Sequence, residues 1–275
     1  MSLRLSTQKI CNKGSSRLNE DALLVKGQLF AVFDGATSLV PFVDKRGKTG
    51  GKLASEITRE AFAENERSLI DLAKTANSRI LSRMQKEGID TRLKENLWCV
   101  AAATVNFTDR EMEFFQIGDC FILLILKDGS FKLLVDVADR DLETMIFWKK
   151  LSDQKTDDIR IKLSAKINQV RRKTNVTYGA LNGEKEAEKF FNLGGTKVDQ
   201  VKSVILFTDG LLIPKENPES REDWELFVTI YQKRGLSGLL NHIRSIEKTD
   251  PNCWQYPRFK KHDDVAAIGI DFQAQ

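Results

Sequence analysis

The chain has 275 residues, 41% hydrophobic and 30% charged, with a formal net charge of +4. That is the composition of a soluble globular protein long enough to bury a substantial core, and no run approaches the roughly 20 apolar residues that cross a bilayer. The charge is too small to argue for nucleic acid, and with only two histidines, His242 and His262, histidine-rich metal sites are excluded.

The opening Met1-Ser2-Leu3-Arg4 lacks the basic-then-apolar layout of a secretory signal, so the cytoplasm is the expected compartment. The first strong apolar run, Gln28 to Phe33, ends on Asp34 and reads as a buried strand. From Lys52 to Lys86, Leu53, Ile57, Ala61, Leu69, Leu72, Ala76, Ile80 and Met84 recur mostly every three or four residues. This is helical spacing, with a break into two helices expected near Asn65. Leu97 to Phe107 reads as a second buried strand. Glu111 to Leu134 reads as two strands around Gly118-Asp119, then a turn at Asp128-Gly129 and a third strand. Asp141 to Val170 is helical in spacing, with Phe147 and Trp148 as its core anchors. Lys202 to Phe207 is a strand ending at Thr208-Asp209, Asp223 to Ile246 a helix, and Val265 to Phe272 a last strand. Strands, a helical pair and more strands make an α+β protein with helices flanking antiparallel sheets. With no repeat, low-complexity tract or linker, residues 1–275 read as one domain.

The four cysteines, Cys11, Cys99, Cys120 and Cys253, form no C-x-x-C pair, so free thiols are expected rather than a zinc knuckle or redox motif. Any metal must then be held by oxygen. Four motifs place acids at or beside apolar strands: Asn19-Glu20-Asp21-Ala22, Phe33-Asp34-Gly35-Ala36, Thr208-Asp209-Gly210-Leu211 and His262-Asp263-Asp264-Val265. A fifth, Ile117-Gly118-Asp119-Cys120, repeats the design between two strands. Clustered carboxylates repel one another unless a cation compensates them, and Mg²⁺ and Mn²⁺ prefer carboxylate, carbonyl and water oxygens. A glycine beside the acid lets backbone approach an ion. Each Asp-Gly alone is an ordinary turn dipeptide; their order and strand contexts carry the signal.

That ordered set resembles the metal-dependent serine/threonine protein phosphatases (the PPM, or type 2C, family), and within it the bacterial branch. The resemblance runs from Asn19 to Ile270. It implies a four-layer α-β-β-α sandwich with two central antiparallel sheets and a cleft at one end of them. Two Mn²⁺ or Mg²⁺ ions would sit there, with Asp34 bridging them and the Gly35 carbonyl completing one. Asp21 would support that ion, with Glu20 acting directly or through water, while Asp209 and Asp263 would hold the other. Asp119 matches the position that helps hold a weaker third metal. The implied activity is hydrolysis of phosphoserine and phosphothreonine by a metal-activated water, on phosphorylated protein partners, by a monomer that needs neither nucleic acid nor membrane.

Departures from the pattern define further expectations. Arg17, one position closer to Asp21 than the family's arginine is in many relatives, is the candidate to bind substrate phosphate or else an exposed surface arginine. Where relatives carry another aspartate after Asp209, this chain has Leu211-Leu212-Ile213-Pro214, which depletes a third metal site. His262 is either a proton donor to the leaving group or a solvated strand-edge residue. Residues 139–175 coincide with a variable flap in relatives, and the basic stretch within them, from Lys149 to Lys173, either steers an anionic partner or forms a solvated helix face. Two other functions stay open: a pseudophosphatase acting as a binding module, and a phosphatase of small phosphate esters.

Overall fold

The computed structural model describes residues 4–36, 39–64, 66–108, 110–137 and 139–273. Its strands are β1 (Leu5–Asn12), β2 (Ala22–Lys26), β3 (Leu29–Ala36), β4 (Cys99–Phe107), β5 (Glu111–Ile117), β6 (Phe121–Leu126), β7 (Phe131–Leu133), β8 (Asn192–Lys197), β9 (Val201–Phe207) and β10 (Val265–Phe272). Its helices are α1 (Gly50–Phe62), α2 (Leu69–Lys86), α3 (Leu142–Asp153), α4 (Ile159–Lys162), α5 (Ser164–Arg171) and α6 (Trp224–Thr249). Two antiparallel five-stranded sheets, ordered β1-β10-β9-β6-β7 and β2-β3-β4-β5-β8, stack face to face. Helices α1 and α2 cover the second sheet and α6 covers the first, so the expected four-layer α-β-β-α sandwich is present.

The layering follows from strands that are apolar on both sides. In β3, Phe30 and Val32 enter the layer between the sheets with Val105, Ile122, Leu206 and Ile268. Leu29, Ala31 and Phe33 turn the other way, onto Phe62, Leu72 and Ile80 of the helical pair. In β9, Val204 and Leu206 face the sheet-on-sheet core while Ile205 and Phe207 meet Phe227, Ile230 and Leu239 of α6. Strands buried on both faces read as continuous apolar runs, which is why these two stand out in the sequence. The edge strands do not: β8 is Asn-Leu-Gly-Gly-Thr-Lys, mostly exposed, and β1 alternates weakly.

The long helical pattern after Gly50 divides as expected, with Thr49 and Ser68 accepting backbone N–H bonds from Lys52 and Asp71 at the two helix starts. Asn65 itself lies outside the described residues. The span from Asp141 to Val170 is three helices rather than one. Trp148 is buried there as expected, donating Nε1–H to the Cys253 carbonyl at 2.8 Å and meeting Phe259 edge-on. Phe147 is not a core anchor: it is 47% exposed, with Lys150 and Lys166 over its ring. One helical step of about 100° separates the two side chains, so a helix lying on the 253–259 loop by one face can bury only one of them. No described helix is long and apolar enough to cross a membrane.

Candidate metal centre

Strand pairing brings the acidic motifs to one end of the sandwich. Ala22 pairs with Phe33, so Asp21 and Asp34 lie across the same end of β2 and β3. Asp34 pairs with Ala101 and Ala102 with Ile117, which sets the Gly118-Asp119 turn beside Asp34. Phe207 pairs with both Phe121 and Ala267, bringing Asp209 and Asp263 alongside. Carboxylate oxygens of Asp34, Asp119 and Asp209 lie within 4.8 Å of one another. Asp263 lines the same cleft, of about 820 Å³, with Asp119 and Asp209.

Charge crowding is evident in the acids themselves. Burial, then the Asp119 and Asp263 carboxylates, push Asp34 up to about 7. Burial and the neighbouring Asp34 raise Asp21 and Asp209 well above the usual carboxylate range. An all-oxygen donor set whose ionisation is opposed by burial and by neighbouring carboxylates is the chemistry of a hard divalent cation site. The residues therefore fit such an ion.

The remaining polar groups set the acids in place. Thr208 donates its hydroxyl to Asp21 Oδ2 at 2.7 Å and accepts the Ala266 N–H at 2.9 Å, tying Asp21 to β10. Thr208→Val keeps the shape and removes both bonds. It is expected to lower stability by about 1–3 kcal/mol and to weaken metal binding, read by thermal melting and Mn²⁺ titration; unchanged values in both would show that Thr208 does not hold Asp21. Asp264, adjacent to Asp263, is 2% exposed and accepts the Gly14 and Glu20 N–H groups at 2.7 and 2.9 Å. Packing also requires glycine at position 35, since a Cβ there would lie 2.3 Å from the Gly51 carbonyl oxygen. At Gly210 a Cβ would strike the Asp264 carbonyl oxygen at 2.0 Å.

The other expected site residues have the following surroundings. Glu20 is buried and accepts the Thr49 hydroxyl at the start of α1. Arg17 is exposed, reaches toward Gly47, and does not line the cleft. His262 holds its Nδ1 2.8 Å from Glu247 Oε2, and its carbonyl accepts the Ser15 N–H.

Two cations of the cleft, Lys260 and Arg140, are ones the sequence did not single out by residue. Lys260 Nζ lies 2.6 Å from Asp263 Oδ1, and Arg140 Nη2 lies 2.6 Å from Asp119 Oδ2. From the basic 139–175 segment, Arg160 and Arg171 line a cavity with Asp34, Asp209 and Asp263. The approach to Asp34 therefore has an acidic cluster and several cations within one cavity.

Residues 12–240 match the model of a family described as protein phosphatase 2C. No curated protein matches the sequence. Among solved structures, the chain is similar to the serine/threonine phosphatase PstP of Mycobacterium tuberculosis, at 18% identity and a TM-score of 0.61 over 98% of this chain and 99% of that one. A structure of the PstP catalytic domain with two manganese ions is similar at 17% identity and 0.61, over 99% and 100% of the two chains. Stp1 of Staphylococcus aureus is similar at 13% identity and 0.59, over 100% and 98%.

Proposed function

The chain belongs to the protein phosphatase 2C family and is a metal-dependent protein phosphatase; we propose that two Mn²⁺ or Mg²⁺ ions at its acidic cluster drive hydrolysis of phosphoserine and phosphothreonine in protein substrates. The observation that carries this is the convergence of Asp34, Asp119 and Asp209 oxygens within 4.8 Å, with Asp21 and Asp263 beside them. The two manganese ions of the PstP structure support a dinuclear site. Asp34 would be shared by both ions, with the Gly35 carbonyl and Asp21 holding one and Asp209 and Asp263 the other. Glu20 contributes through water.

When bound, the ions lower the pKa of a water and offset charge on the phosphoryl oxygens. The protein's own groups do the rest. Thr208 and Asp264 fix Asp21 and its approach strand, and Lys260, Arg160 and Arg171 offer positive charge to a phosphate entering beside Asp34. The 139–175 segment acts as a flap of a single 1–275 domain. Four free cysteines, three of them buried, suit a monomer working in the reducing cytoplasm.

The test is a Mn²⁺-dependent assay across a phosphopeptide panel, with p-nitrophenyl phosphate beside it and Asp209→Asn as control. Turnover of phosphothreonine peptides that vanishes with chelator and in the variant is expected. Equal rates in wild type and Asp209→Asn would overturn the assignment, and turnover confined to the small ester would replace the protein substrate.

A further inference from the structure

We propose that the Arg140 guanidinium is a resident cation at the Asp119 corner of the site, so that this chain works with two metal ions and a fixed arginine in place of a third ion. The proposal rests on the two-metal reading above and concerns what balances the rest of the acidic cluster.

Arg140 stands between two carboxylates. Its Nη2 lies 2.6 Å from Asp119 Oδ2 and its Nε 3.4 Å from Asp141 Oδ2. The Arg140 and Asp119 side chains are each 17% exposed, so the pair is largely withdrawn from water and little screened. Asp119 belongs to the three-carboxylate cluster, so the guanidinium sits against the metal site itself.

The arginine is held there. Its guanidinium lies 5.0 Å from the centre of the Tyr178 ring, a cation–π arrangement. The Tyr178 hydroxyl is fixed in turn, 2.8 Å from Thr174 Oγ1 and 3.1 Å from the Val170 carbonyl. Thr174 is 4% exposed, so this support is a packed element and not a mobile surface contact. A guanidinium stacked on one face and paired along its edge is already positioned before substrate arrives.

The ligand supply around it points the same way. After Asp209 the chain continues as Leu211, buried, then Leu212 and Ile213, both lining the cleft. This side therefore adds no second carboxylate. Asp119 and Asp141 are both engaged by Arg140, which stands between them. Asp119 and Asp141 engage Nη2 and Nε, while Nη1 has no hydrogen-bond partner among the described residues. The free edge of the fork can donate to a phosphoryl oxygen, which an ion at this corner would otherwise screen.

Metal stoichiometry decides the matter. Native mass spectrometry and calorimetry of the metal-free full chain, titrated with Mn²⁺, should give two ions for wild type and two for Arg140→Lys, which keeps a charge. Arg140→Gln should take up a third ion at Asp119, weaker than the other two, and Arg140→Gln with Asp119→Asn should return to two. Turnover of Arg140→Gln should fall on the order of 100-fold at low Mn²⁺ and recover in part as the third ion binds. Three ions on the wild type would overturn the proposal whether or not the variants fold. So would an Arg140→Gln protein that still binds only two. A wild type that binds no Mn²⁺ would instead remove the dinuclear reading on which the proposal stands.

Discussion

Asp34→Asn is expected to cut turnover on the order of 10³-fold while making the metal-free protein more stable. The two effects come from one cause. Asp34 is half-buried near Asp119, Asp209 and Asp263, and its carboxyl is pushed from an ordinary 3.8 to about 7. A carboxyl with a raised folded pKa leaves the native state binding more protons than the unfolded chain between those two values. Stability of the metal-free protein therefore falls as pH rises from about 4 to about 7, and the full cost, on the order of a few kcal/mol, is present above that window. Below it both states are protonated and the cost disappears. Asparagine cannot ionise, so the variant loses this slope. Mn²⁺ compensates the same charges, so it should raise the melting temperature of wild type more at pH 8 than at pH 5, and that of the variant much less. With its shared ligand gone, the variant should lose on the order of 10³-fold in turnover. The measurements are melts of both proteins at pH 5 and 8, with chelator and with Mn²⁺, alongside a phosphopeptide assay. An Asp34→Asn protein that melts lower than wild type at pH 8 without metal, or that keeps its activity, would contradict this account.

The acids of the cluster were legible in the sequence because each stands beside an apolar strand. Asp34 lies among the last residues of β3 and Asp209 just past β9, both strands buried on both faces, and Asp263 stands just before another. A strand's direction and register then carry the acid to a known end of a known sheet, so five separate motifs acquire one location. The family model matches residues 12–240 and so does not reach Asp263; the β9–β10 pairing is what brings that residue to the site. The cations were not legible for the opposite reason. Arg140 precedes α3 in a segment without periodicity, and Lys260 lies in the 250–261 loop, whose course is set by Arg258 pairing with Asp250 at 2.9 Å. Nothing local in either segment says which way a basic side chain points. Arg17 shows the same difficulty from the other side. It was singled out by its distance along the chain from Asp21, but the connector before β2 is pinned through Gly14, Ser15 and Glu20 and leaves Arg17 exposed. The basic run of residues 149–173 was weighed as either a solvated face or a functional surface, and the fold divides it. Arg160 and Arg171 line the cavity, whereas Lys150 and Lys166 lie over the exposed Phe147.

The adjacent Asp263 and Asp264 should respond to alanine in opposite ways. Asp263 is partly exposed and paired with Lys260 at 2.6 Å, so it faces the cleft and its loss removes charge from a crowded site. Asp264 faces away from it. Its two oxygens accept the Gly14 and Glu20 N–H groups, more than 240 residues earlier in the chain, at a site 2% exposed. Asp264→Ala leaves both donors without a partner and no route to water for the buried one, a loss of about 3–5 kcal/mol. It also frees the segment that sets Asp21, so metal affinity should fall although no proposed ligand has been touched. Asp264→Asn should recover part of the stability, because its one carbonyl oxygen can still accept one of the two bonds. Asp263→Ala should leave stability in chelator nearly unchanged or slightly higher, and lose Mn²⁺ binding directly. Urea unfolding of the three variants with and without Mn²⁺ separates these effects. If Asp264→Ala unfolds at the same urea concentration as Asp263→Ala in chelator, Asp264 is not the clamp that holds the N-terminal connector against the site.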